Sequence, residues 1–383
     1  MLLLAVTTVN LQAQTIIEPT RVVRLHGEIG KNKPIPIVNS IDLAQQGHLL
    51  ALGGDDHIIR LWNVRERKFV AQLDAHNEAV RGLSFNPDDT RLVTVAQDGQ
   101  IHVWDTQDGR RLHSFPATNR GKRRVMFQPG SSRFTVCGFD QNIRIYDAET
   151  YENIASLPAH STNNEAIAYS HDGSLLAVGG RTGVVRIWKT ENYELLTDIQ
   201  GDGRRVRAIA FSPDDSTLAI GGDGPFITLW NPIDGKLVSV LEERPGKTYS
   251  LTFCGQNVLA SGESDNMTRL WNVTKGSATA LLSGHTGTVS TMRYVPKLQM
   301  LVTGSFDASI RFWTLPQETL PQETLPQEET LSQESLPVSE AVLTIRNNGL
   351  ADDAGDLEIP TEWPPGVSAI VSDNPILYGV SLD

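Results

Sequence analysis

DDHIIRLWN, residues 55–63, recurs in altered form six more times: DGQIHVWD ending at Asp105, DQNIRIYD at Asp147, TGVVRIWK at Lys189, GPFITLWN at Asn231, DNMTRLWN at Asn272 and DASIRFWT at Thr314. Its aromatic residue falls at positions 62, 104, 146, 188, 230, 271 and 313, a spacing of 42 residues with one interval of 41. A period this regular marks one supersecondary unit repeated seven times, each copy burying an apolar face against the next. Around Trp62 the apolar residues Ile59 and Leu61 fall on either side of the polar Arg60, the period of a strand and not of a helix.

Two more β-type runs precede each motif, as in AVRGLSF (79–85) and RLVTVAQ (91–97) around the turn NPDD, and a fourth follows it, as in RKFVAQL (67–73). Four antiparallel strands per unit, seven units and no helical pattern predict an all-β chain, a seven-bladed β-propeller. RVVRLHG (21–27) aligns with these fourth strands, and unit 7 is the unit that lacks one, because LPQETLPQETLPQEET begins directly after its motif. We therefore expect the N-terminal strand to complete blade 7 and close the ring, leaving no bare sheet edge at the seam.

These residues resemble the WD-repeat β-propellers over residues 21–314. The elements carrying the resemblance are a Trp, an Asp six residues before it, a Ser or Thr four before that, and a His eighteen earlier still. Unit 2 has all four as His76, Thr94, Asp98 and Trp104, and unit 7 as His285, Thr303, Asp307 and Trp313, with the Gly284-His285 pair. The resemblance implies a buried relay in which Asp holds His, His meets the hydroxyl and the hydroxyl meets the indole, so that each polar group has a partner. Unit 6 keeps Ser261, Asp265 and Trp271 without a His; unit 4 keeps His160 and Trp188 but has Val178 at the hydroxyl position; unit 3 has Tyr146 for Trp. Units 3 to 6 are accordingly expected to rest more on apolar packing than on the relay.

The domain reading is a leader at 1–20, the propeller at 21–314, a Pro/Gln/Glu/Thr spacer at 315–340 and an acidic extension at 341–383. Residues 315–383 hold thirteen Asp or Glu and one Arg, a net charge of −12 that equals the charge of the whole chain, so the propeller with its leader is formally neutral. That balance lacks the broad basic footprint of a nucleic-acid binder. The tail, tethered by its spacer, is a candidate competitor for basic groups of the propeller. MLLLAVTTVNLQA resembles the back half of an export signal without its basic start, and an unstructured leader fits equally, so cytoplasmic and exported locations both stand. Nine apolar residues, against the roughly 20 that span a bilayer, make no membrane anchor. Cys137 and Cys254 lie in blades on different sides of the ring and are expected to be buried free thiols.

Thr94, His76 and Asp98 are the residue types of a hydrolase triad. Their recurrence at fixed spacing with a Trp argues for structure instead, and the chain has no haem, zinc, metalloprotease, nucleophile-elbow or phosphate-loop motif, so no cofactor is expected. The glycine pairs 53–54, 179–180 and 221–222 share one repeat position and point to close backbone packing. His26, His48, His57, His102, His113 and His171 share no spacing and read as surface or structural residues.

What remains is a binding surface. Counting four residues back from the end of each first strand selects Asn39, Arg81, Arg123, Glu165, Arg207, Tyr249 and Ser290, and equivalent positions in a ring form a ring. Two residues earlier lie Arg205 and Lys247, and seven before the motif aromatic lie Phe139, Arg181 and Phe306. In the resembling family this ring surrounds the central opening where peptides dock, and Arg with Phe is a composition favoured at binding hot spots. Arginine at a strand end is also ordinary solvated surface. The expected function is a non-enzymatic scaffold or adaptor, a single propeller binding a protein or an acidic peptide at its mouth; the alternative is a propeller enzyme, hydrolase or oxidoreductase, with a site in the central channel.

Overall fold

The computed structural model describes residues 15–25, 36–116 and 121–315, and the backbone of two further strands. The proposed export signal, most of the spacer, much of the extension and His26 lie outside the described residues.

Seven four-stranded antiparallel sheets stand around a central channel, each running outward from an inner first strand. The inner strands are Val38–Leu43, Val80–Phe85, Lys122–Phe127, Asn164–Tyr169, Val206–Phe211, Thr248–Phe253 and Val289–Val295. Among the described residues the one helical element is a 3₁₀ turn at Pro296–Leu298, and no helix is long and apolar enough to cross a membrane. The core is not one mass but seven apolar clusters, one per blade interface. Leu49, Ala51, Ile59 and Leu61 of blade 1 meet Val80, Leu83, Phe85 and Trp104 of blade 2, and the pattern repeats until Ile310 and Phe312 of blade 7 meet Ile41 and Leu52 of blade 1. Cys137 and Cys254 are buried within two of these clusters as free thiols, and burial pushes the Cys137 thiol up to about 12.

The ring closes as expected. Arg21–Arg24 pairs antiparallel with Ser309–Thr314 as the outer strand of blade 7. One strand had not been anticipated: Thr15–Ile17, inside the stretch read as leader, pairs parallel with the outer strand of blade 6. Its reason lies in the seam. In blade 5 the Glu242 N–H donates to Gly276 O in the turn before the outer strand of blade 6 (2.9 Å). Blade 7 has no such turn because its outer strand comes from the N-terminus, and in blade 6 the corresponding Ser283 N–H donates instead to Ile17 O (3.2 Å). The N-terminal segment thus replaces a missing turn as well as a missing strand.

Every inner strand carries a register shift near its start: at Val38/Ser40, Val80/Gly82, Lys122/Arg124, Asn164/Ala166, Val206/Ala208, Thr248/Ser250 and Val289/Thr291. The extra residue of a bulge leaves the ladder and bends the strand. Opposite it the second strand comes so close that a Cβ on Gly54 would overlap the Ile37 carbonyl, and one on Gly222 the Arg205 carbonyl. This close backbone approach explains the second glycine of each pair, whereas a Cβ on the first would crowd a side chain of the next blade, Val80 at Gly53, Val206 at Gly179 and Thr248 at Gly221.

The second unit, residues 323–383, contains an antiparallel pair, Val367–Val371 with Tyr378–Leu382.

Candidate functional site

The residue lifted out of each bulge is the one selected by counting: Asn39, Arg81, Arg123, Glu165, Arg207, Tyr249 and Ser290. All seven line a single cavity of about 80 Å³ at the mouth of the channel, joined by Arg124 and Phe306. The bulge is what turns a strand residue toward the mouth, so the ring is a product of the backbone and its chemistry is left to the sequence. Phe139 lies beneath Arg123, whose guanidinium carbon is 4.3 Å from the ring centroid, and Arg205 reaches the rim through Glu165. Arg181 is exposed and is not among the cavity-lining residues.

The arginines are held, not loose. Arg123, Arg205 and Arg207 converge on the Glu165 carboxylate at 3.7, 3.3 and 3.3 Å. Arg81 faces Asp55 (3.3 Å), and Arg207 donates to Asp223 (2.6 Å), which Lys247 also approaches (3.8 Å). Asp55 and Asp223 were missed in the sequence although they occupy the repeat position that supplied Phe139, Arg181 and Phe306. Among the described residues Arg81, Arg123, Arg124, Arg205, Arg207 and Lys247 stand against Asp55, Glu165 and Asp223, a surplus of three positive charges. Burial lowers the Arg123 pKa, Glu165 raises it, and Arg81, Arg205 and Arg207 lower it again, the mark of like charges crowded together. Among the described residues, the buried Arg81 Nε, Arg123 Nε and Glu165 Oε1 have no hydrogen-bond partner. The opposite sector is neutral: Tyr249 meets Phe306 edge to face at 6.1 Å, flanked by Ser290 and Asn39.

The two four-residue sets do form relays. Trp104 Nε1–H donates to Thr94 Oγ1 (3.0 Å), the Thr94 hydroxyl faces His76 Nε2 (3.0 Å), and His76 Nδ1 meets Asp98 (3.1 Å). In blade 7 the matching distances for Trp313, Thr303, His285 and Asp307 are 2.9, 2.8 and 2.9 Å. Burial pushes the Asp307 carboxyl up, but hydrogen bonds from His285, Ser309 and the Thr286 amide outweigh it and hold the pKa well below the carboxylate range. Both Thr side chains are fully buried and engaged on both sides, a poor setting for a nucleophile. His102, classed with the scattered histidines, is buried and stacks on His76 with centroids 4.2 Å apart; burial, then the charges of His76 and Arg111, pull its pKa down to about 4.

The expectation that blades 3 to 6 rest more on apolar packing than on the relay needs correction in blades 3 and 6. An arginine two residues before the motif aromatic clamps the Asp in blades that lack the His: Arg60 to Asp56 (2.6 Å), Arg144 to Asp140 (2.6 Å) and Arg269 to Asp265 (2.7 Å). Blade 3 adds a fully buried Lys122 on Asp140 (2.6 Å). In blade 6, Trp271 Nε1–H donates to Ser261 (2.8 Å) and Ser261 to Glu263 (2.7 Å), which pairs with Arg269 and approaches buried Arg244 (3.7 Å). Glu263 stands where blades 1, 4 and 5 have the second glycine of the pair. His160 of blade 4 is outside any relay; it bonds Thr182 (3.1 Å).

Comparison with known proteins agrees with this anatomy. The family described as WD domain, G-beta repeat (WD40) matches residues 23–63, 67–105, 151–189, 193–231 and 276–314, roughly half of the chain. The stretches passed over hold the motifs of blades 3 and 6, where Tyr146 replaces Trp and where Glu263 replaces the His relay. A 58-residue stretch is 38% identical to the DENN domain and WD repeat-containing protein SCD1 of Arabidopsis thaliana; it covers 15% of this chain and 5% of that protein. With seven interlocked four-stranded blades, two complete relays and five matched repeats, the chain belongs to the WD40-repeat family.

Proposed function

We propose that this propeller is a non-enzymatic interaction module that binds an acidic segment of a protein partner at the mouth. Members of the WD40 family generally serve as scaffolds for partners and not as enzymes. The observation that carries the finer reading is the ring of bulges, which gathers Arg81, Arg123 and Arg207 into one cavity with a positive surplus and unpaired guanidinium N–H groups. Guanidinium forks held by neighbouring carboxylates and aromatic faces are preorganised for carboxylate or phosphoryl oxygens. Tyr249 and Phe306 give the same segment an apolar resting place beside its charge. Since all seven blades contribute to the ring, one chain makes the whole site.

The test is retention of partners from a native extract by the full chain and by the R81E/R123E/R207E variant, at low and at raised salt. Partners lost on charge reversal, and weakened by salt in the unmodified chain, agree with the proposal. Partners held equally by both place the binding surface on the blade edges or elsewhere in the chain and contradict it.

A further inference from the structure

We propose that the mouth is a phosphomonoester site, in which Glu165 is a built-in counter-ion that turns away ordinary carboxylates and yields to a phosphorylated side chain of the partner. The inference rests on the reading of the mouth as the partner site.

Glu165 is the one acidic residue among the seven bulge positions, and three guanidiniums converge on it. The contacts are loose. At 3.3 to 3.7 Å they are longer than the roughly 2.7–2.9 Å of a good charge-assisted bond, whereas Arg207 reaches Asp223 at 2.6 Å. Among the described residues Glu165 Oε1 accepts no hydrogen bond although its side chain is 6% exposed, and Arg123 Nε nearby donates none. A cluster in this state holds donors that its own carboxylate does not saturate.

An incoming carboxylate brings two oxygens and one charge, the same as Glu165 already supplies at high effective concentration, so exchange gains it little. A phosphomonoester brings three terminal oxygens and about −1.5 to −2 charge, enough to engage several forks at once. The cavity, about 80 Å³, is on the scale of a single phosphoryl group. The aromatic pair Tyr249 and Phe306 on the facing sector suits a peptide side chain next to the phosphate better than a lipid headgroup at a flat membrane.

The probes are a degenerate peptide pool with one fixed phosphoserine, the same pool with Glu or Ser at that position, inorganic phosphate, and phosphoinositide vesicles, titrated against the full chain and its E165Q and R123Q variants. Melting curves matching the unmodified chain show that the variants are folded. We expect the phosphoserine pool to bind at least about tenfold more tightly than the Glu pool, E165Q to tighten the Glu pool and narrow that gap, and R123Q to abolish the preference. Equal binding of the two pools overturns the phosphate assignment and leaves the acidic mouth standing. An unchanged gap in E165Q overturns the role of Glu165. Binding of vesicles or inorganic phosphate without the peptides overturns the peptide source, and no binding of any acidic probe overturns the mouth itself.

Discussion

The relays inside the blades and the ring at the mouth are both sets of polar side chains repeated at the propeller period, yet their partners differ in kind. In blade 7 the links from Trp313 to Thr303, Thr303 to His285 and His285 to Asp307 are all 2.8–2.9 Å, and Asp307 accepts further bonds at 2.6–3.0 Å. At the mouth, contacts stretch to 3.7 Å and Arg81 Nε, Arg123 Nε and Glu165 Oε1 have no hydrogen bond. A saturated set contributes to the fold and offers nothing to a ligand, whereas an unsaturated one contributes less to the fold and keeps its donors for a partner. Substitutions in the two sets should therefore separate stability from binding.

The largest stability loss is expected in blade 6. Glu263→Ala removes the acceptor of Ser261, leaves buried Arg244 without its facing carboxylate and leaves Arg269 with Asp265 alone, at about 3–5 kcal/mol by denaturant unfolding, with mouth binding unchanged. Asp307→Asn keeps the shape but weakens a charge-assisted network, and about 2 kcal/mol is expected. Because the Asp307 pKa is depressed by folding, the stabilisation it supplies is present above its unfolded pKa of about 4 and lost as pH falls toward the folded value; the Asn variant lacks that acid slope.

An effect absent at neutral pH and confined to the acid side belongs to His102. Its pKa falls from 6.5 to about 4 on folding, so the unfolded chain takes up the proton first and stability declines as pH drops from 6.5 to about 4. Unfolding curves across that window should flatten in His102→Asn, with a difference of at most about 3 kcal/mol at the acid end. The smallest change in stability is expected for Arg81→Gln, within about 1 kcal/mol of the unmodified chain, since its pair with Asp55 is partly exposed; a loss as large as that of Asp307→Asn would erase the distinction between the two sets.

Much of this was legible from repeat arithmetic. The blade count follows from the spacing of the motif aromatic and the closing strand from its likeness to the other fourth strands; the relays of blades 2 and 7 follow from the family resemblance, and the seven mouth positions from counting back from the end of each first strand. The same arithmetic held Asp55 and Asp223, which share an offset with Phe139, but a carboxylate beside an arginine draws notice only once the two are known to touch. His102 lies two residues before Trp104 and hence on its face of the strand, where other blades have Arg60, Arg144 and Arg269; alternation was the available signal. Glu263 was hidden because it fills a glycine position, and its role depends on a rewired set of contacts that no spacing predicts. Thr15–Ile17 is three residues long, and only the missing turn of blade 7 explains it.

Site-directed photo-crosslinking tests the central claim most directly. A benzoylphenylalanine placed at Phe306, in the mouth, is compared in native extract with one at Val70, exposed on the outer strand of blade 1. The account predicts adducts at position 306 on acidic or phosphorylated segments, lost in the charge-reversed background and absent at position 70. Partner adducts at position 70 with none at 306 would contradict it.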